Sequence, residues 1–221
     1  VVDGEELWRQ ELANRTLEAT NAGNAVLLFF ADAAALRAFK ESKWCSFGGG
    51  TSEITERVSV QELPQLVARA TRAGQVTLLT RAFGRGTDFA VIQRAGGQSH
   101  LVRVLQTFLS TEVTEETQHR GRTCRQGSGG EYRLILCKQH LLRDYADDLT
   151  DQGLAEAFKA NRLYAYLDAA RRAKMNRSSA AREKQVAAAA EVHRKTCSLA
   201  KQLRANLTVP ELVEIVDKMA A

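Results

Sequence analysis

The sequence lacks features that are typical of disordered linkers, disulfide-rich proteins, zinc-binding proteins and membrane-spanning proteins. Its 221 residues include two Pro and four Cys. A disordered linker protein typically contains more proline than this. The cysteines form no CxxC pair, and no His lies at zinc-ligand spacing from them, so no metal site or disulfide framework is predicted. No apolar run reaches the roughly 18 residues that a membrane-spanning helix needs. We expect reduced thiols, a cytoplasmic location and no membrane-spanning segment.

The sequence also lacks the motifs of a complete ATP site. No Gly-x-x-x-x-Gly-Lys-Ser/Thr segment occurs, so no loop is predicted to cradle the β and γ phosphates of a nucleotide. An Asp-Glu pair in a D-E-x-D setting, which could hold Mg²⁺ and polarise water, is missing as well. No secretory signal is visible, although the first residue is Val1 rather than Met.

The remaining composition and patterning are typical of a folded α/β protein. Hydrophobic residues make up 44% and charged residues 26%, with a net charge of +5 that permits contact with an acidic partner. Short apolar runs alternate with helical patterns, which favours a doubly wound parallel sheet. Predicted strands lie at 26–30, 54–58, 76–80, 101–109 and 132–137. An amphipathic opening helix is predicted from the spacing of Leu7, Trp8, Leu12 and Leu17.

The composition shifts after Lys138, where Gly becomes rare and Ala, Arg, Lys and Leu dominate. Residues 151–205 are predicted to form one or two long helices with a thin apolar stripe. The basic stretch at 171–177 is interpreted as a solvated helix face, with a site for an acidic partner as the alternative. We therefore predict two domains, at 1–145 and 146–221.

An arginine pair is the strongest candidate for chemistry. Arg122 and Arg125 lie three residues apart, so on one helical turn they would project from the same face. Two guanidiniums placed in this way can bind a multiply charged oxyanion, because each is permanently charged and bonds phosphate oxygens in pairs. The alternative is a solvated helix face. The four histidines have no partner pattern and are interpreted as structural or exposed, namely His100, His119, His140 and His193.

The segment around this pair resembles motif VI of superfamily-2 helicases, whose pattern is Q-x-x-G-R-x-x-R. The matching residues are Gln118, Gly121, Arg122 and Arg125. Gln126-Gly127 brings the resemblance closer to SecA, the bacterial protein-translocation ATPase, and the run Gly84-Arg85-Gly86-Thr87-Asp88 resembles SecA motif V. Two departures mark a divergent relative, since Cys124 stands where SecA usually has Gly and residues 107–116 lack the expected Glu-Arg-His-x-Ser run.

The resemblance implies a RecA-like, mainly parallel sheet that forms the second motor domain, followed by an α-helical tail. Arg122 and Arg125 would then act as arginine fingers, and Gln118 would bind near the phosphates. Asp88 would face the ribose or couple the site to motion. Gly86 and Arg85 belong to the same loop.

ATP and Mg²⁺ would bind only together with an upstream RecA-like domain of the same protein, so no meaningful hydrolysis is expected from this polypeptide alone. A polypeptide is the favoured substrate, because no aromatic and basic stacking surface is evident. The alternatives are a nucleic-acid helicase half and a non-catalytic scaffold. In each case the helical tail could dock a partner.

Overall fold

The structure is a computed structural model that describes residues 1–48, 50–87, 89, 100–122, 130–204 and 208–220. Strands and helices alternate through the first part of the chain, and helices follow. In chain order the elements are α1 (Glu5–Asn21), β1 (Ala25–Phe30), α2 (Ala33–Lys40), β2 (Thr51–Ile54), α3 (Leu63–Ala70), β3 (Val76–Thr80), a 3₁₀ turn (Arg81–Gly84), β4 (Val102–Gln106), α4 (Val113–Arg120), β5 (Gly130–Leu134), α5 (Lys138–Asp144), α6 (Asp151–Lys159), α7 (Leu163–Arg204) and α8 (Val209–Ala220).

The five strands form one parallel sheet in the order β2-β3-β1-β4-β5. Strand β1 is central and buried along its whole length, as its continuous apolar run predicts. Strands β3 and β4 lie on opposite sides of β1, so the chain crosses the sheet between them. Ligands of doubly wound sheets bind at such crossing points, beyond the carboxyl ends of the strands. The predicted doubly wound parallel sheet with a helical tail is confirmed.

Alternate side chains of the strands build two cores, one on each face of the sheet. Val26, Leu28 and Phe30 pack with Trp8 of α1 and Phe39 of α2. The opposite face carries a second core, in which Ala25, Leu27 and Phe29 of β1 pack with Ile54 and Ala70. Helices on both faces are therefore required to cover this sheet.

Side-chain caps fix several helix starts that the sequence predicts. The Asp32 carboxylate accepts a hydrogen bond from the backbone amide of Ala35 at 2.8 Å, which caps α2. Ahead of α3, the Ser59 hydroxyl accepts from the Glu62 amide at 3.2 Å, while the Glu62 carboxylate accepts from the Ser59 amide at 3.4 Å. This reciprocal pair is the predicted capping box.

The inner face of α1 differs from the prediction. Trp8 and Leu12 are buried as expected, but Leu7 is 57% exposed and Leu17 is 38% exposed. Small residues take the inward positions in their place, and Thr16 satisfies its hydroxyl on the Leu12 carbonyl within the helix. The buried members of α1 are Trp8, Leu12, Ala13, Thr16 and Ala19.

The prediction of a solvated face at 171–177 is wrong at its first residue. Arg171 is 1% exposed, whereas Arg172 beside it is exposed. The side chain of Arg171 is buried because three polar partners meet it there, on α4 and on the first turns of α7. A charged residue is almost never buried completely unless it is paired in this way.

The described residues form two compact units, Val1–Arg172 and Ala173–Ala221. The first holds the sheet, and the second holds most of α7 together with α8. No described helix is both long enough and apolar enough to cross a membrane. The division into domains at 1–145 and 146–221 stays a prediction.

Candidate arginine site at the carboxyl edge of the sheet

The loop after β3 begins as a tight turn and then opens into solvent. β3 ends at Thr80, and the 3₁₀ turn Arg81–Gly84 follows without a break. Arg85 and Gly86 come next and are both exposed. Gly86 has φ of +72°, a left-handed conformation that strains any residue with a Cβ atom. This part of the loop therefore presents backbone and an arginine at the carboxyl edge of the sheet.

Arg122 reaches this loop from the segment that follows α4. Its guanidinium donates two hydrogen bonds to the Gly84 carbonyl, from Nη2 at 2.7 Å and from Nε at 3.2 Å. Helix α4 ends at Arg120, and Gly121 caps it, so Arg122 follows directly on the helix end. The two predicted motif segments thus meet in space, although 38 residues separate the atoms that touch. The Arg122 guanidinium is directed towards the loop and not away from it.

The other predicted site residues lie in different places, and two of them fall outside the described part of the chain. Gln118 lies on α4 and is exposed, at the same end of the helix as Arg122. Arg85 lies on the loop and forms an ion pair with Glu112 at 3.4 Å, in which both side chains are more than half exposed. Solvent weakens a pair of this kind. Asp88 and Arg125 lie outside the described residues.

A stronger contact joins the loop to α4. Arg81 binds the Glu115 carboxylate through both ends of its fork, at 2.9 Å from Nε and 2.7 Å from Nη2. The Glu115 side chain is 9% exposed and the Arg81 side chain 40% exposed. Bidentate arginine–carboxylate pairs fix geometry as well as distance. The Arg81–Glu115 pair therefore gives the 3₁₀ turn and α4 a second contact besides that of Arg122 with Gly84.

A buried histidine, His119, lies where α4 meets the 3₁₀ turn. From the sequence it is interpreted only as a structural or exposed residue. His119 has no exposed surface, and its ring lies edge-on to Phe29 and Phe108. Its Nδ1 lies 2.8 Å from the Glu115 carbonyl, while Nε2 has no hydrogen-bond partner among the described residues. A carbonyl can only accept, so Nδ1 carries the proton in the neutral ring. Nε2 faces Gly84, where an added Cβ atom would come within 2.3 Å of it.

Burial lowers the pKa of His119 below its ordinary value of 6.5, and this predicts acid sensitivity. Because the folded pKa is the lower one, the unfolded chain takes up the proton first as the pH falls. Stability is therefore fully present above about pH 6.5 and decreases as the pH falls through the folded pKa, by at most about 1.4 kcal/mol per pH unit. Urea denaturation between pH 5 and 7.5 measures this slope.

The matched comparison for this pH dependence uses two histidine variants. His119→Leu removes the buried ring and should flatten the slope, whereas His193→Leu alters an exposed residue of α7 and should leave it in place. Equal slopes in the wild type and in His119→Leu would contradict the assignment.

The arrangement is chemically suited to binding an anion. An arginine tied to a backbone carbonyl holds a permanent positive charge at a fixed point beside a glycine-bearing loop. No group of three potential metal ligands occurs among the residues that the structure describes. The described residues of this edge therefore supply cationic and backbone groups.

Sequence comparisons find partial similarity to curated proteins of one kind, the SecA subunits of protein translocases. The chain is 36% identical over 88 residues to the protein translocase subunit SecA of Oleidesulfovibrio alaskensis, covering 38% of the chain and 10% of that relative. It is 33% identical over 92 residues to SecA of Porphyromonas gingivalis, covering 40% of the chain and 8% of that relative. The chain thus spans about a tenth of the length of the curated relatives it matches. No family model matches it.

Solved structures overlap with larger parts of the chain at lower identity. Domain 2 of the DEAD-box helicase Mss116p, bound to an RNA duplex, has a TM-score of 0.46 at 14% identity, covering 72% of this chain and 67% of that one. Dbp5 of S. cerevisiae, bound to RNA and ADP BeF3, has a TM-score of 0.46 at 17% identity, covering 75% and 37%. The chain is thus similar over about two fifths of its length to SecA translocase subunits, and it combines this similarity with a parallel sheet and with the two motif segments.

Proposed function

We propose that this chain is the closing half of a SecA-like ATP-dependent motor. The nucleotide would lie between its sheet edge and a first RecA-like domain that carries the phosphate-binding loop. The observation that carries the proposal is the contact of the Arg122 guanidinium with the Gly84 carbonyl, because it brings the motif VI arginine to the motif V loop. Arg122 and Arg125 are the proposed arginine fingers.

The remaining proposed roles follow the motif resemblance, and the positions of Gln118, Arg85 and Gly86 agree with them. Gln118 is exposed at the same helix end as Arg122 and would bind near the phosphates. Gly86 and Arg85 present the loop to the nucleotide, and Asp88 would contact the ribose or transmit closure. The cationic groups and the left-handed glycine on this edge fit the negative charge of a triphosphate. Mg²⁺ would neutralise charge on the phosphates when bound, and its ligands would come from the partner domain.

A polypeptide is the proposed substrate of the complete motor, and a cytosolic location is proposed with it. Two observations support the polypeptide: the curated relatives are translocase subunits, and the sequence shows no aromatic and basic stacking surface. Closure over ATP would then be converted into movement of that polymer. The helical tail would dock a partner or the substrate.

A nucleic-acid motor is the second candidate, and the charge of α7 favours it. Residues 173–204 contain eight Lys or Arg and two Glu, a net charge of +6, so the rest of the chain carries −1 of the total +5. The described side chains of 175–198 are all exposed. A concentration of positive charge on an extended exposed helix suits a phosphate backbone. A scaffold without catalysis is the remaining alternative.

Reconstitution of ATP hydrolysis tests the motor proposal. The chain alone should not hydrolyse ATP, and the mixture with a first RecA-like domain bearing the phosphate-binding loop should hydrolyse it faster than that domain alone. Unfolded polypeptide should stimulate the mixture if the polymer is a protein, whereas RNA or duplex DNA should do so if it is a nucleic acid. A mixture no faster than the isolated first domain would favour the scaffold.

A further inference from the structure

Helix α4 carries the proposed nucleotide-facing end of the chain, yet it buries no apolar side chain. Its sequence is VTEETQHR, and its buried residues are Glu115, Glu116 and His119. An isolated helix of eight residues is not stable in water, so tertiary contacts must hold it. Those contacts are polar or aromatic here. The placement of α4 therefore depends on the partners of these three side chains.

Glu116 has the most deeply buried partner. Its Oε2 accepts a hydrogen bond from Nη1 of Arg171 at 2.8 Å, and both side chains are 2% exposed. Its Oε1 accepts from the Tyr164 hydroxyl at 2.8 Å. The Arg171 guanidinium also donates to the same hydroxyl at 3.3 Å and to the Asp168 carboxylate. Four polar groups thus satisfy one another where α4 meets the first turns of α7.

Arg171 and Asp168 each favour the charged form of the other. Burial opposes the positive charge of Arg171, but hydrogen bonds with Asp168, Tyr164 and Glu116 outweigh it and raise its pKa. Hydrogen bonding from Arg171 lowers the pKa of Asp168. A buried pair of this kind adds little to stability compared with an apolar pair, but removal of one partner leaves an uncompensated buried charge. Such a pair specifies geometry more than it adds stability.

We propose that Arg171 is a positioning residue of the nucleotide site, which fixes α4 through Glu116 and thereby sets the position of Arg122 against the Gly84 carbonyl. The importance of Arg171 for catalysis rests on the proposed function. Its role in placing α4 and Arg122 does not depend on that function. Arg171 touches neither the loop nor Arg122, so its effect passes through the helix. Tyr164 and Asp168 orient the Arg171 fork on its other edges.

Amide hydrogen exchange on the intact chain, together with NMR of the Arg122 Nε–Hε group, tests this role. Arg171→Met should accelerate exchange of the α4 amides by about 100-fold or more, since it strands a buried carboxylate. Amides of β1 and β3 should change far less. The Arg122 Nε–Hε signal should move towards the position of a solvated arginine, because its bond to Gly84 is lost.

The matched control is Arg172→Met, because Arg172 pairs with the same Asp168 carboxylate but is 69% exposed, and its loss leaves the Arg171–Glu116 pair in place. It should leave both readouts at wild-type values. Tyr164→Phe is the milder second variant, since it removes one hydroxyl and leaves both charges, and it should accelerate α4 exchange by about 10-fold. The inference is overturned if Tyr164→Phe and Arg171→Met accelerate amide exchange equally in all elements. It is also overturned if neither variant differs from Arg172→Met in amide exchange or in the Arg122 signal.

The reconstituted ATPase separates this inference from the motor proposal. If both are right, Arg171→Met lowers kcat with little change in KM. If Arg122→Ala has no effect on hydrolysis while Arg171→Met still releases the Arg122 signal, the positioning role stands and the motor proposal fails. If Arg122→Ala abolishes hydrolysis while Arg171→Met leaves the signal and kcat unchanged, the positioning role fails.

Discussion

Arg122→Ala should lower the kcat of the reconstituted ATPase by about 10³-fold or more, the range found for arginine fingers in phosphoryl transfer. The expected effect is large because the negative charge that the guanidinium neutralises develops in the transition state. A guanidinium already held at the sheet edge by the Gly84 carbonyl meets that charge without reorganising. KM should change much less than kcat, since the main binding groups belong to the partner domain. Steady-state hydrolysis over a range of ATP concentrations measures both constants.

Two further variants define what this result means. Arg122→Lys keeps the charge but loses the planar fork, so it should recover only a small part of the activity. Arg143→Ala is the control for general loss of positive charge, because this side chain is 71% exposed on α5 and pairs with the neighbouring Asp144. A fall of similar size in Arg143→Ala would show that net charge, and not the Arg122 position, carries the effect.

Gly84→Ala should destabilise the fold by about 1–3 kcal/mol, as expected for overpacking of a tight core. The added Cβ atom would lie 2.3 Å from Nε2, 2.6 Å from Cε1 and 2.8 Å from Cδ2 of His119. That ring cannot move aside easily, because Phe29 and Phe108 contact it edge-on at 4.6 Å and 5.7 Å between ring centroids. The substitution should also shift the carbonyl that Arg122 binds. Urea denaturation measures the first effect, and the ATPase measures the second.

Gly48→Ala is the matched control, since an added Cβ atom there would meet nothing within 4 Å. It should leave the free energy of unfolding nearly unchanged. In the His119→Ala background, Gly84→Ala should cost clearly less than in the wild type, because the clashing ring is gone. The same cost in both backgrounds would mean that His119 is not the obstacle.

The sheet could be predicted because its pattern is local. The run at 26–30 is apolar throughout and becomes the central strand β1, and the run at 76–80 becomes β3 with unchanged bounds. A strand with a weaker apolar pattern lies a few residues away from its predicted position. The strand predicted at 54–58 is observed at Thr51–Ile54, since the Gly-rich stretch before it leads directly into pairing with β3. The type of an element can thus be predicted where apolar, buried residues follow a regular pattern along the sequence.

The contacts that hold α4 could not be predicted, because they join polar residues far apart in sequence. Glu115 and Glu116 look like surface charges on a polar helix, and their partners come from 34 residues before and 55 residues after. Arg171 stands beside Arg172 in a basic run, and nothing local distinguishes the buried arginine from the exposed one. Periodicity reports apolar burial, so buried ion pairs escape it. The two motif segments, by contrast, were recognisable from residue type and spacing.

Titration of this chain into a fixed amount of the first RecA-like domain, with ATP hydrolysis as the readout, tests the central claim most directly. The account predicts that hydrolysis rises and saturates near one chain per partner domain, and that the Arg122→Ala chain gives almost no rise at any ratio. It would be contradicted by equal saturating activity from the wild-type and Arg122→Ala chains.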